Sequence, residues 1–236
     1  MAHKKINPRQ GTIEWVDIGS GGEACCQKGN PNELEGIGGT LKVGKPLTAV
    51  KRVNHMSTSQ IVGEGLFLKH LCAKILDDHF VAEGVYDTSH ITPPLGSFPG
   101  GYYYEYAVGS DGFYWEDTEL SGYIKFTNNL SNAGISVGDD TTDVDDARWS
   151  KNIVHDSGHP ANWKRIDFGG SSCPARAEKF KLFIESNPQL EQKMGWKHEL
   201  LTLAGRKSIL HETLKPPEEE RLIGLSRKYR KSILKE

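Results

Sequence analysis

Asn152 and Asp167 stand fifteen residues apart, in Lys151-Asn152-Ile153-Val154 and Ile166-Asp167-Phe168-Gly169. A side-chain amide and a carboxylate are oxygen donors suited to Mg²⁺, which keeps several waters and uses few protein ligands. Far upstream, Lys51 sits in the apolar frame Thr48-Ala49-Val50-Lys51-Arg52-Val53. A lysine so placed is a point charge that could hold nucleotide phosphates. Glu64 shares a helix face with apolar residues, where a carboxylate needs a partner, and Lys51 is the natural one. Ile18-Gly19-Ser20-Gly21-Gly22-Glu23-Ala24 follows a predicted strand, and a glycine-rich turn lets backbone N–H groups approach phosphate oxygens. Tyr102 to Gly109 reads as a strand running into a loop whose backbone could pair with an adenine edge. Alone, each signal has an ordinary structural reading. The informative feature is the five of them in order along one chain.

The elements that must carry these residues are short. Candidate strands are Thr12–Ile18, Thr40–Val43, Leu47–Val53, Val81–Asp87 and Tyr102–Val108, with the second and third read as a hairpin about Gly44-Lys45-Pro46. A helix is expected from about Ser57 to Leu76. Ser57 and Gln60 fit a capping box, and Ile61, Leu68, Leu71, Cys72, Ile75 and Leu76 recur at helical spacing. Glu119–Asn132 reads as a second helix. After Gly170 the chain turns helical: Pro174–Ser186, about Trp196–Glu212, and Glu218–Leu234, with Pro217 as a first helical residue.

The chain has 236 residues, of which 36% are apolar and 25% charged, so it can bury a substantial core. A net charge of −2 argues against bulk nucleic-acid binding. No run of 18 apolar residues exists to span a membrane, and the N-terminus lacks the apolar stretch of a secretory signal. Cys25, Cys26, Cys72 and Cys173 form no CxxC pair and read as reduced thiols in a cytosolic setting. Gly39 to Lys45 matches the P-loop spacing GxxxxGK. Pro46 follows, however, where a hydroxyl residue and a helix are required, so the match is set aside. His155 and His159 read as turn residues rather than metal ligands.

Taken in order, these motifs resemble the protein-kinase-like superfamily, which includes the eukaryotic-type protein kinases and the aminoglycoside phosphotransferases. The resemblance runs from about Ile18 to Gly169. It implies an α+β, two-lobed fold, with a β-rich N-lobe over 1–106 and a reduced helical C-lobe over 107–236. It implies ATP and Mg²⁺ as cofactors, with Mn²⁺ the alternative metal. Gly19, Ser20, Gly21 and Gly22 then resemble the phosphate-covering loop, Lys51 the strand-three lysine and Glu64 its helix-C partner. Tyr104 corresponds to the gatekeeper and Glu105 to Ala107 to the hinge. Asn152 corresponds to the catalytic-loop asparagine and Asp167 to the metal-binding aspartate of DFG. For the catalytic base, Gly134-Ile135-Ser136-Val137-Gly138-Asp139 resembles the approach to the family's HGD, with valine for histidine. Asn152 lies thirteen residues after Asp139 instead of five, and Asp146 is the rival base.

About ten residues are inserted between the first two strands of the family pattern, and only 67 residues follow Gly169. The activation segment is therefore minimal. The expected activity is transfer of the γ-phosphoryl of ATP to a hydroxyl, most simply as a small atypical Ser/Thr protein kinase. Its size and layout resemble bacterial effector kinases secreted into host cells, some of which act on host chaperones such as Hsp90. The alternatives are a small-molecule kinase of the aminoglycoside type and a nucleotide-binding pseudokinase.

Overall fold

The computed structural model describes residues 14–20, 23–109, 117–135, 153–156, 159–166 and 174–235. The chain is α+β, as the sequence implies. Five antiparallel strands form its main sheet: β1 (Val16–Ser20), β2 (Ala24–Gly29), β5 (Ala49–Asn54), β7 (Gly101–Glu105) and β6 (Pro94–Phe98), in that spatial order. Two small ribbons lie outside it. One pairs β3 (Glu33–Leu34) with β4 (Leu41–Lys42), and the other pairs β8 (Ile153–Asp156) with β9 (His159–Arg165). The helices are α1 (Gln60–Ala82), α2 (Asp117–Asn132), α3 (Pro174–Ser186), α4 (Gln189–Met194), α5 (Trp196–Ser208) and α6 (Pro216–Leu234).

Helix α1 starts later and runs further than its sequence pattern suggests. Its N-cap is Ser59, whose hydroxyl accepts from the Val62 N–H at 3.3 Å, rather than Ser57. Ile61 is 80% exposed and does not belong to the inward face. Val81 and Ala82 finish this helix, so the strand expected over Val81–Asp87 is absent. Its β-branched and aromatic residues favour a strand only where a partner strand is available. The expected hairpin between Thr40–Val43 and Leu47–Val53 is not formed either. β4 pairs back with β3, and β5 pairs with β2 and β7.

One face of α1 lies on the sheet. Gly63 makes this contact close: a Cβ there would sit 2.0 Å from the Phe98 carbonyl oxygen and 2.5 Å from that of Gly101. Phe67, Leu68, Leu71, Cys72, Ile75 and Leu76 join Val50, Tyr102 and Tyr104 in one buried cluster with α2, α5 and the β8–β9 ribbon. The opposite face of the sheet has its own cluster: Ala49, Leu95, Phe98 and Tyr103, with Leu34 and Leu41 of the small ribbon and Leu234 of α6.

The extra residues lie not between the first two strands, as the sequence pattern suggests, but between β2 and β5, and this second cluster shows what they do. The β3–β4 ribbon and its turn, with Gly38 and Gly39 at positive φ, form a nest of carbonyls around Arg230 of α6. The buried Arg230 guanidinium donates to the carbonyls of Leu95 (2.8 Å), Gly39 (2.7 Å), Leu34 (2.6 Å), Glu35 (2.9 Å) and Ile37 (3.3 Å). A Cβ on Gly36 would lie 2.6 Å from the guanidinium carbon, so that position admits no side chain without displacing it. The C-terminal helix is thereby bound to strands from the first half of the chain.

Candidate functional site

The antiparallel pair β1–β2 sets Gly19 against Cys26 and Ser20 against Cys25, so the first residues of the glycine-rich stretch lie on the edge strand of the main sheet. Gly19 and Ser20 stand at the end of β1; Gly21 and Gly22 lie outside the described residues. Lys51 is in the middle of β5, opposite Gln27 and Tyr103. Strand alternation puts it on the face with Ala49 and Tyr103. There its Nζ sits over the rings of Phe98 (5.1 Å) and Trp15 (5.8 Å), a cation–π arrangement. Arg52, the next residue, takes the other face. It pairs in register with Cys26 and Tyr102, is 5% exposed, and meets the side of the sheet that packs on α1.

Glu64 of α1 is half-buried, and its carboxylate accepts from Gln60 (3.1 Å) and pairs with Lys207 of α5 at 3.5 Å. The expected partnership of Lys51 with Glu64 is therefore not what the structure brings together. The two residues lie in different surroundings, one among rings beyond the sheet and the other beside α5. Further along the same helix, His70 faces the sheet. His70 is fully buried there, with Nε2 2.8 Å from the Thr92 carbonyl and Nδ1 3.4 Å from the Tyr102 hydroxyl. Burial pushes its pKa down to about 3, aided by the nearby Lys74 and Arg52 charges, so the ring is neutral. The neutral tautomer that fits donates from Nε2 to Thr92 and accepts at Nδ1 from Tyr102.

The stretch expected to be the hinge, Glu105 to Ala107, begins at the end of β7. Tyr104, the residue expected to be the gatekeeper, is buried against α1. The Glu105 N–H donates to Pro93 (3.0 Å) and the Tyr106 N–H to Thr48 (2.9 Å). Lys28 of β2 sits 5.4 Å from the Tyr106 ring centroid. Glu105 and Ala107 border a cavity of about 390 Å³ on the β6 side of the hinge, together with Lys74, Ser89, Thr92 and Lys164.

The β8–β9 ribbon is tightly held. Its first described rung pairs Ile153 with Arg165; Asn152 precedes Ile153 in sequence, and Asp167 follows Ile166. Arg165 also donates its N–H to the His90 carbonyl at 2.8 Å and bridges Ile91, which joins the ribbon to the α1–β6 connection. His90 and Trp163 stack at 3.7 Å with ring planes 3° apart, and Tyr123 and Phe126 of α2 meet the Trp163 edge at 5.6 and 5.1 Å. Asp77 fixes the same connection from below. Its Oδ2 accepts from the Ser89 hydroxyl (2.5 Å) and from the N–H groups of His90 (2.9 Å) and Ile91 (3.0 Å). Burial still pushes its carboxyl up to about 6. The candidate residues Asp139, Asp146, Asn152 and Asp167 lie outside the described residues. Among the described residues there is no cluster of three or more His, Cys, Asp or Glu placed to hold a metal. Nor is any described helix long and apolar enough to cross a membrane.

No family model matches the chain, and no curated protein matches it. Among solved structures it is similar to a Rio2 kinase from Chaetomium thermophilum, determined as a kinase-ADP/Mg²⁺-phosphoaspartate complex. The likeness covers 94% of this chain and 72% of that one, at 11% identity and a TM-score of 0.40. Sequence reasoning missed the neutral His70 and the His90–Trp163 stack. Isolated histidines and a tryptophan carry no spacing signal, and only the fold shows that they meet.

Proposed function

We propose that this protein is an ATP- and Mg²⁺-dependent phosphotransferase that moves the γ-phosphoryl group to a hydroxyl. The observation that carries the reading is the β8–β9 rung of Ile153 with Arg165. It is the rung next in sequence to Asn152 and Asp167, the two residues with the oxygen ligands that Mg²⁺ takes. Three further observations support it. The glycine turn joins the first two strands of the main sheet, a cation-bearing strand comes third, and a helix and a hairpin that leads into the hinge follow. That order is the one the kinase resemblance requires.

In this reading Asn152 and Asp167 hold the metal, which neutralises charge developing on the transferred phosphoryl. The glycine turn covers the phosphates, and Asp139 accepts or orients the acceptor hydroxyl. Phosphoryl transfer is mostly positioning and charge stabilisation, so loss of a metal ligand lowers the rate by ~100-fold or more. We take the acceptor to be a protein hydroxyl, with a host chaperone of the Hsp90 type as the first substrate to try.

Radiolabelled ATP with Mg²⁺ provides the test. Wild-type protein should transfer label to itself, to a protein acceptor or to a cationic small molecule, and which of these is labelled identifies the acceptor class. Asp167→Ala should stay folded and lose transfer. Full activity in that variant refutes the metal assignment. Nucleotide-induced thermal stabilisation without any turnover makes the protein a pseudokinase.

A further inference from the structure

Lys51 and Arg52 are neighbouring cations on one strand, so alternation sends them to opposite faces of the sheet. Their surroundings show which face each takes. Lys51 lies over Phe98 and Trp15, in the cluster that the β3–β4 ribbon and α6 cover. Arg52 is in register with Cys26 and Tyr102, and its charge acts on His70 and Tyr104. Val50 and Tyr104 on this same face belong to the buried cluster that contains Ile153 and Trp163 of the β8–β9 ribbon. Gly19 of the glycine turn also pairs with Cys26, one strand away from Arg52. The cation that shares a side of the sheet with the ribbon next to Asn152 and Asp167 is thus Arg52. Glu64, the α1 carboxylate expected to pair with the strand cation, is engaged by Lys207.

We infer that Arg52, not Lys51, is the strand cation that holds the phosphates of the bound nucleotide, and that Lys51 serves packing on the far face. This assignment rests on the phosphotransferase reading. A guanidinium differs from an ammonium in what it can do at such a place. Its planar fork gives two parallel hydrogen bonds to phosphate oxygens and stays charged when buried, whereas a lysine contributes a single adaptable point charge. The residue following the family's lysine position thus takes over the role with a different geometry. Recognition should therefore depend on the fork as well as on the charge.

The test measures dissociation constants for MgATP and for adenosine by isothermal titration calorimetry, with thermal melts as the folding control. The variants are Arg52→Met, Arg52→Lys and Lys51→Met. Arg52→Met should weaken MgATP about tenfold or more and leave adenosine within about twofold, because only the phosphates lose a charged donor. Arg52→Lys should fall in between. It also keeps the assignment testable if the methionine variant does not fold, since it preserves the charge. Lys51→Met should change neither constant by more than about twofold. A general loss of structure would weaken both ligands together, so the ratio of the two constants separates phosphate binding from packing. The inference is overturned if Lys51→Met loses MgATP while the Arg52 variants bind as wild type, or if both Arg52 variants keep the wild-type ratio. A wild-type protein that binds neither ligand overturns the phosphotransferase reading itself. One that binds and transfers, with Arg52 variants unchanged, overturns the Arg52 assignment alone.

Discussion

Arg230 is a fully buried cation that donates to five backbone carbonyls. Its desolvation is offset by five oxygen dipoles, which in turn have little access to water once α6 is in place. Replacing it with methionine keeps volume but orphans those carbonyls, so Arg230→Met should destabilise the fold by about 3–5 kcal/mol, read from urea unfolding. Arg230→Lys should recover only part of this, because three donors on a point charge cannot reach five acceptors spread over a plane.

Three buried titrating groups give a second prediction at this scale. Burial lowers His70 to about 3 and His90 to about 4, so each adds stability above its unfolded pKa near 6.5 and loses it as the pH falls. Asp77 is raised from 3.8 to about 6 and acts in the opposite sense, since its share is present at low pH and is lost as the pH rises through about 6. Between pH 6 and 4 the two histidines outweigh the one aspartate by a proton. Stability from these groups should fall by roughly 1.4 kcal/mol per unit of acidification. Asp77→Asn removes the opposing contribution and should about double that slope in urea midpoints measured at pH 6, 5 and 4. An unchanged slope would contradict the burial argument.

At the scale of elements, α1 carries two glycines in one turn with opposite roles. Gly63 is pressed onto the Phe98–Gly101 turn, whereas a Cβ on Gly65 meets nothing within 4 Å. Gly65→Ala should therefore stabilise the fold by about 1 kcal/mol through helix propensity and raise the melting temperature. Gly63→Ala should lower it sharply, because α1 cannot approach the sheet. The pair distinguishes propensity from packing within one helix. The same contrast shows what the sequence made legible. The long helices α2, α3 and α6 could be read because periodicity accumulates over many residues, and prolines mark the starts of α3 and α6. β2 (ACCQKG) and β6 (PLGSF) have no clean alternation, and their strand state comes from pairing on both sides of β5 and β7. The cation on β5 was legible as a strand feature but not in its phase. Ala49 and Val50 are both apolar and both buried, so neither marks the inward face. Only the covering of both faces reveals that Lys51 and Arg52 divide between them.

At the scale of the whole molecule, the main surprise relative to the sequence lies in α6. The sequence shows a terminal helix and, separately, inserted residues that depart from the kinase pattern, with nothing to link them. The structure joins the two: the inserted β3–β4 ribbon is the seat of the C-terminal helix. Nothing local links Leu34 or Gly39 to Arg230 across some 190 residues, which is why spacing could not show it. Removing residues 215–236 should expose Leu34, Ala49 and Leu95 and orphan the ribbon carbonyls. In a thermal scan the truncated chain should aggregate or melt many degrees below the full chain. If it melted like the full chain, α6 would be an appendage instead of part of the core.

The chain leaves the main sheet after β7, and α6 returns to grip the far face of that sheet. A body tied at two separated points cannot swing like a door on one edge. Any opening needed to admit or release a ligand must come from flexing within the loop so formed, or from letting go of the Arg230 latch.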